Sequence, residues 1–261
     1  MKANPTVFYK FRPFKEKIEI DRVKSIFFDH KLFAPTPDLL NDPFDCRADI
    51  SLEATKEERL AAAKKWLRRH HPLMPRNELR KEAPAAVKRL LANGRKSIRD
   101  HIAKTGIVSF ATTLNNQLLW SHYASSHEGL CIEFDLNRCS DNLGMIGTIG
   151  EVRYQEERVF PNFFRSERLE IVETMINTKP KEWDYEGEYR VILNPRPKSG
   201  CVPFDPKMIS RVYAGCRMPP ERQAELIRIL ADRKISPQIE LFQMKASDTK
   251  FELVAVPVCI E

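Results

Sequence analysis

The sequence lacks any run approaching the ~20 consecutive apolar residues that a bilayer span requires. Its opening, Met1-Lys2-Ala3-Asn4-Pro5, passes into strand-like sequence without the apolar region of a secretory signal. These two absences argue against a helical membrane protein and lead to the expectation of a cytoplasmic one. The six cysteines, Cys46, Cys131, Cys139, Cys201, Cys216 and Cys259, form no CxxC pair, and the six histidines show no HExxH spacing. Neither a zinc site nor a secreted disulfide framework is expected, no metal is assigned, and most of the cysteines read as buried thiols. GxGxxG, GxxxxGK[ST] and GxSxG are all missing, which removes the Rossmann, P-loop and α/β-hydrolase classes. No internal repeat is found.

What is present is a chain of 261 residues, 42% hydrophobic and 30% charged. That is too apolar for a disordered protein, and long enough to bury a core without metal or disulfide staples. The net charge of +7 is concentrated: residues 53 to 104 hold 15 Lys and Arg against 6 acids, or +9, so the remainder is −2. The same stretch carries Leu60, Ala63, Leu67, Leu79, Ala83, Val87, Leu90 and Leu91 at spacings of three and four. Two or three helices are predicted there, broken near His71-Pro72 to Pro75 and near Asn93-Gly94. This basic helical insert is either an arm for nucleic acid or an acidic protein, or the solvated face of amphipathic helices; with Trp66 as its only large aromatic, the second reading is favoured.

Elsewhere the period switches to two. Val7 to Arg12 predicts a strand with Val7, Tyr9 and Phe11 on one face and Phe8, Lys10 and Arg12 on the other. A short helix over Ile18 to Phe28 and a strand near Lys31 to Ala34 follow, then an ordered loop rich in Pro, Asn and Asp over residues 35 to 45. Gly106 to Ala111 predicts a strand, Asn115 or Asn116 can cap a helix through Leu118 to Ala124, and Leu130 to Asp135 predicts the next strand. Further strands are expected at 148–154, 185–193, 209–214, 238–244 and 251–259, with a late helix from Pro219-Pro220 to about Arg233. The pattern gives a single α+β domain, a mixed or antiparallel sheet with a helical lobe and a central cleft.

Three clusters carry candidate chemistry. In Lys181 to Ile192, strand alternation sends Trp183, Tyr185, Tyr189 and Val191 to one face and Asp184, Glu186, Glu188 and Arg190 to the other, placing carboxylates and a guanidinium in a row about 7 Å apart. Gly187 marks a bulge or a place of close ligand approach, and Arg190 favours an ionised Glu188; the alternative is a solvated edge strand. In Trp120-Ser121-His122-Tyr123, the two large aromatics sit one turn apart and suit a flat ligand, with hydrogen-bonding groups on Ser121 and His122 beside them. His122 taken alone reads better as a buried histidine bonded to a carbonyl. Lys10 and Arg12 can bind a phosphate or pair with Asp42 or Asp45, in the loop that holds Asn41.

Taken together, Tyr9 to Arg12, Leu40 to Asp45, Ser109-Phe110, Leu119 to Ala124, His127 to Asp135 and Trp183 to Arg190 resemble a bacterial family of domains of unknown function, DUF 2971. A more distant resemblance is to ADP-ribosyltransferase-like domains. It implies NAD as substrate in a cleft, with Tyr9 or Arg12 holding the nicotinamide ribose or a phosphate and Trp120 and Tyr123 flanking the nicotinamide. In that reading Glu186 or Glu188 stabilises the oxocarbenium-like ribose, a role for which Glu188 is preferred, while Lys10, Asn41, Ser121, His122 and Arg190 complete the binding set. It departs from those domains in lacking a Ser-Thr-Ser tripeptide. The alternatives are a nucleic-acid-binding protein or a non-catalytic nucleotide sensor, in the setting of bacterial toxins or phage defence.

Overall fold

The computed structural model describes residues 5–47, 49–138, 147–232 and 239–259. Cys139, the end of the predicted late helix at Arg233 and the start of the predicted strand at Gln238 lie outside them. In chain order the first elements are β1 (Val7–Arg12), α1 (Lys17–Phe28), β2 (Lys31–Phe33), α2 (Lys56–His70), α3 (Arg76–Ala103), β3 (Gly106–Ala111), α4 (Gln117–Tyr123) and β4 (Leu130–Asp135). They are followed by β5 (Thr148–Glu151), β6 (Arg153–Gln155), α5 (Arg168–Ile176), β7 (Thr178–Pro180), β8 (Glu188–Leu193), β9 (Cys201–Pro203), β10 (Ile209–Ala214), α6 (Pro220–Leu230), β11 (Glu240–Ala246) and β12 (Leu253–Val258). The fold is α+β. No helix among the described residues is long and apolar enough to cross a membrane.

The chain divides into two compact units, residues 1–35, 106–151 and 182–261 in one and residues 36–105 and 152–181 in the other. The helical stretch expected as an insert over about 53–104 is therefore part of a larger unit that also draws in the Pro- and Asp-rich loop and a later segment.

The first unit is built on an eight-stranded sheet in the order β12-β11-β10-β4-β1-β3-β8-β5, antiparallel except between β10 and β11. Alternation along each strand separates two cores. Phe8, Phe110, Ile132, Phe134 and Val212 pack with Ile26 of α1 and Leu226 of α6 on one face. Phe11, Cys131, Tyr213 and Met244 pack with Leu119 and Trp120 of α4 on the other. Asn116 is the cap that starts α4, its side-chain oxygen accepting from the amides of Leu118 (2.9 Å) and Leu119 (3.3 Å).

The second unit pairs α2 with α3. A capping box joins Thr55 and Glu58 at the start of α2, and Ala63 and Leu67 pack against Leu79 and Ala86. The turn falls at the predicted prolines. The second predicted break does not occur, because α3 runs on through Asn93-Gly94. A β-carbon at Gly94 would meet the Phe163 ring at 3.1 Å, so this glycine makes room for an aromatic ring instead of ending the helix. Helix α5 was not anticipated: its buried Ile171, Val172, Met175 and Ile176 span only nine helical residues, too few for periodicity to show. The strand expected over 148–154 is two strands, β5 in the first unit and β6 in the second, where β6 pairs with β7.

Candidate functional site

The segment expected to form one alternating strand from Trp183 to Val191 does not do so. Lys181–Glu186 coils into a 3-10 helix and β8 begins only at Glu188. Gly187 makes the junction in the left-handed region, φ +49°, where its carbonyl accepts from the Thr112 hydroxyl at 3.0 Å. A β-carbon there would stand 2.7 Å from the Thr112 oxygen, so both conformation and space demand glycine. Glu186 consequently stands on the turn and does not share a strand face with Glu188.

Glu188 and Arg190 do share a face, and both are buried, at 5% and 1% exposure. The guanidinium donates from Nε to Oε1 at 2.8 Å and from Nη2 to Oε2 at 3.0 Å, a bidentate pair. β8 lies between β3 and β5, which rules out the solvated edge strand considered from sequence. Register extends the row across the sheet: Glu188 stands opposite Ala111, Ala111 opposite Tyr9, and Tyr9 opposite Glu133. Glu133, also buried, accepts from the hydroxyls of Ser210 (2.6 Å) and Tyr213 (2.7 Å). Burial, and then the charge of Glu133, push the Tyr9 phenol up to about 12. The same two causes, with the bond to Glu133, raise Tyr213.

Above this row sits α4. Tyr123 donates to Glu186 Oε1 at 2.6 Å, and the Asn116 side-chain amide donates to the Tyr185 carbonyl, tying α4 to the 3-10 helix. Trp120 is not part of a ligand wall: it is fully buried, donates from Nε1 to the Leu114 carbonyl at 2.9 Å and meets Phe11 edge-on at 5.1 Å. The aromatic surface is instead made by neighbouring rings in series, Tyr123 and His122 (6.4 Å), His122 and Tyr185 (6.3 Å), Tyr185 and Trp183 (6.0 Å). His122 and Ser121 are exposed, so the buried-histidine reading of His122 fails. Immediately after α4, Ser125, Ser126 and His127 are all left-handed, at φ 47°, 54° and 72°, a conformation costly for residues with a β-carbon. The His127 ring lies nearly parallel to Trp120, and burial followed by the Arg217 charge lowers its pKa.

Lys10 and Arg12 leave this face. Alternation turns them to the α1 side, where the Lys10 ammonium donates to the Ser109 carbonyl at 2.6 Å and lies over the Phe110 ring. Asn41 is an exposed residue of the second unit. Near it in sequence, Asp42 accepts from the Phe44 amide at 2.8 Å and Asp45 stands 4.0 Å from Lys179, both members of that ion pair being buried. Sequence reasoning found this loop but missed Lys179, a lone lysine with no periodic context. It also passed over Glu133, although a carboxylate inside Leu-Cys-Ile-Glu-Phe is the signal of a buried polar group.

Of the basic residues in α2 and α3, Lys65 and Arg69 pair with Glu167, Arg95 and Arg99 with Asp49, and Lys96 with Asp100. Five of these cations thus share three acids of the same unit.

The segment holding α4, the left-handed turn, β4, the 3-10 helix and the first four residues of β8 coincides with a family match: the model of a protein of unknown function (DUF2971) covers residues 119–191. Over residues 119–191 the chain is similar to the DUF2971 family. The DUF2971 region includes Tyr123, Glu133, Glu186, Glu188 and Arg190, while Tyr9 and the α2 and α3 pair lie outside it. No curated protein and no solved structure matches the chain.

Proposed function

We propose that the α4 side of the sheet binds a dinucleotide such as NAD and that Glu188 carries ADP-ribosyl-transfer chemistry. The reading rests on the buried Glu188 and Arg190 pair, a fixed anion beside the backbone turn at Gly187 and in register with Tyr9. When the bond between nicotinamide and ribose breaks, nicotinamide keeps the electron pair and positive charge develops at the anomeric carbon. A carboxylate already oriented by a guanidinium stabilises that charge without reorganising. The acceptor nucleophile, or water, then bonds to the anomeric carbon and loses its proton. Tyr123, Tyr185 and the exposed His122 offer the flat surface on which the nicotinamide ring stacks, the role first expected of Trp120. Glu186, held by Tyr123, is the second carboxylate at this site.

Calorimetry with NAD and a nicotinamide-release assay test this reading on wild type, Glu186→Gln and Glu188→Gln, with circular dichroism to confirm folding. Loss of an electrostatic stabiliser lowers the rate by about a hundredfold or more while leaving NAD binding nearly intact. Absence of NAD binding in the wild type ends the proposal, and binding without release in any condition replaces the transferase with a nucleotide sensor.

A further inference from the structure

The sheet of the first unit has a seam. β1 pairs with β4 at all six of its residues, but with β3 at Tyr9 and Ala111 alone. Beyond that pair, Lys10 to Arg12 carries no registered pairing with β3, and the Lys10 ammonium reaches across to the Ser109 carbonyl. Arg12, two residues on, turns to the same side. Among the described residues its Nε is buried with no hydrogen-bond partner, and no carboxylate forms an ion pair with it.

The charge acting on Arg12 is cationic. Burial, and then the charge of Arg22 on α1, lower Arg12 to about 10. Lys10 is held well below the usual lysine range by burial and by Arg12, with Glu188 opposing. Arg12 is half-buried with its Nε closed to solvent, and partly desolvating a guanidinium with no anion to meet it is unfavourable, so the arrangement is that of an incomplete ion pair. Arg12 thus has a cation on either hand, Lys10 and Arg22, which suits a dianion better than a single carboxylate, and the planar guanidinium fork matches phosphoryl oxygens.

We propose that this seam is a binding site for a phosphoryl group, with Arg12 as its principal ligand and Lys10 and Arg22 as supporting cations. Its principal ligand lies on the opposite face of the sheet from Glu188, Arg12 facing α1 and Glu188 facing α4, while Lys10 between them feels the Glu188 charge. The phosphoryl group is supplied either by free phosphate or by a nucleotide.

The test is thermal unfolding together with phosphorus NMR titration, using inorganic phosphate in one arm and ADP in the other at constant ionic strength. Both signals should respond in the wild type. In Arg12→Gln the apparent affinity should fall by about tenfold or more, while the melting temperature without phosphate equals or exceeds that of the wild type, because an unpaired charge has gone. Arg22→Gln changes an exposed side chain, should fold normally and should weaken binding by about threefold. Tighter binding of ADP than of phosphate supports the site with a nucleotide as source, and equal binding supports it with free phosphate. No response to either probe in the wild type overturns the proposal, as does an unchanged response in both variants. If Arg12→Gln fails to fold, an unchanged response in Arg22→Gln overturns it by itself. A protein that binds NAD but shows no phosphate response loses only this site, and one with the reverse behaviour loses only the Glu188 reading.

Discussion

Tyr123 and Glu186, 63 positions apart in sequence, are joined by a hydrogen bond of 2.6 Å that fastens α4 to the turn before β8. Glu186 is buried, so the phenol is one of the groups that compensate its desolvation. Tyr123→Phe removes that donor and keeps the ring. The expected cost is about 1–3 kcal/mol, read from denaturant unfolding, with an unchanged far-ultraviolet spectrum. A variant as stable as wild type would show that the bond contributes nothing to the fold.

The Glu188 and Arg190 pair should be strongly coupled. Breaking a buried ion pair by removing one partner typically costs about 3–5 kcal/mol, because the other charge is left behind. Arg190→Met is expected in that range, and Glu188→Gln/Arg190→Met should be more stable than Arg190→Met alone. Additive losses in the double-mutant cycle would refute the coupling.

Stability should decline in alkali. Tyr9 is raised to about 12 by burial and Glu133, and Tyr213 is raised by the same causes. The folded state therefore keeps these phenols protonated where the unfolded chain releases the protons, so their contribution is complete below about pH 10 and is lost as the pH climbs towards 12. Unfolding free energies at about pH 9 and about pH 11 measure the slope. Tyr9→Phe should flatten it without abolishing it, since Tyr189 is also raised by burial.

Gly94 should behave as a packing residue. Gly94→Val places methyl groups against the Phe163 ring and is expected to cost about 1–3 kcal/mol, outweighing the better helix propensity of valine. Paired with Phe163→Ala, the same substitution should become much milder. Equal losses in both backgrounds would put the cause outside this contact.

The local elements were largely legible. Period-two and period-3.6 patterns, with Asn116 as a cap and prolines around the α2 to α3 turn, place β1, β3, β4, β10 and α1 within a residue or so of where they fold. Alternation on β1 also foretold that Lys10 and Arg12 part from Tyr9. The sequence by itself therefore determined the α+β class, the element types and the sidedness of single strands, since these follow from backbone geometry and the spacing of apolar residues.

Only the tertiary structure decided what the candidate groups do. Trp120 became core because Phe11 and Leu114 meet it, and Gly94 became a seat for Phe163 from a distant segment. Glu186 left the strand because Thr112 fixes the left-handed turn at Gly187. The row of Glu188, Ala111, Tyr9 and Glu133 exists through register between β8, β3, β1 and β4, and the Lys10 and Arg12 seam exists because one of those pairings stops after a single residue pair. Pairings between strands this far apart in sequence depend on which faces can be buried together, and that free energy belongs to the folded assembly of segments and to none of them alone.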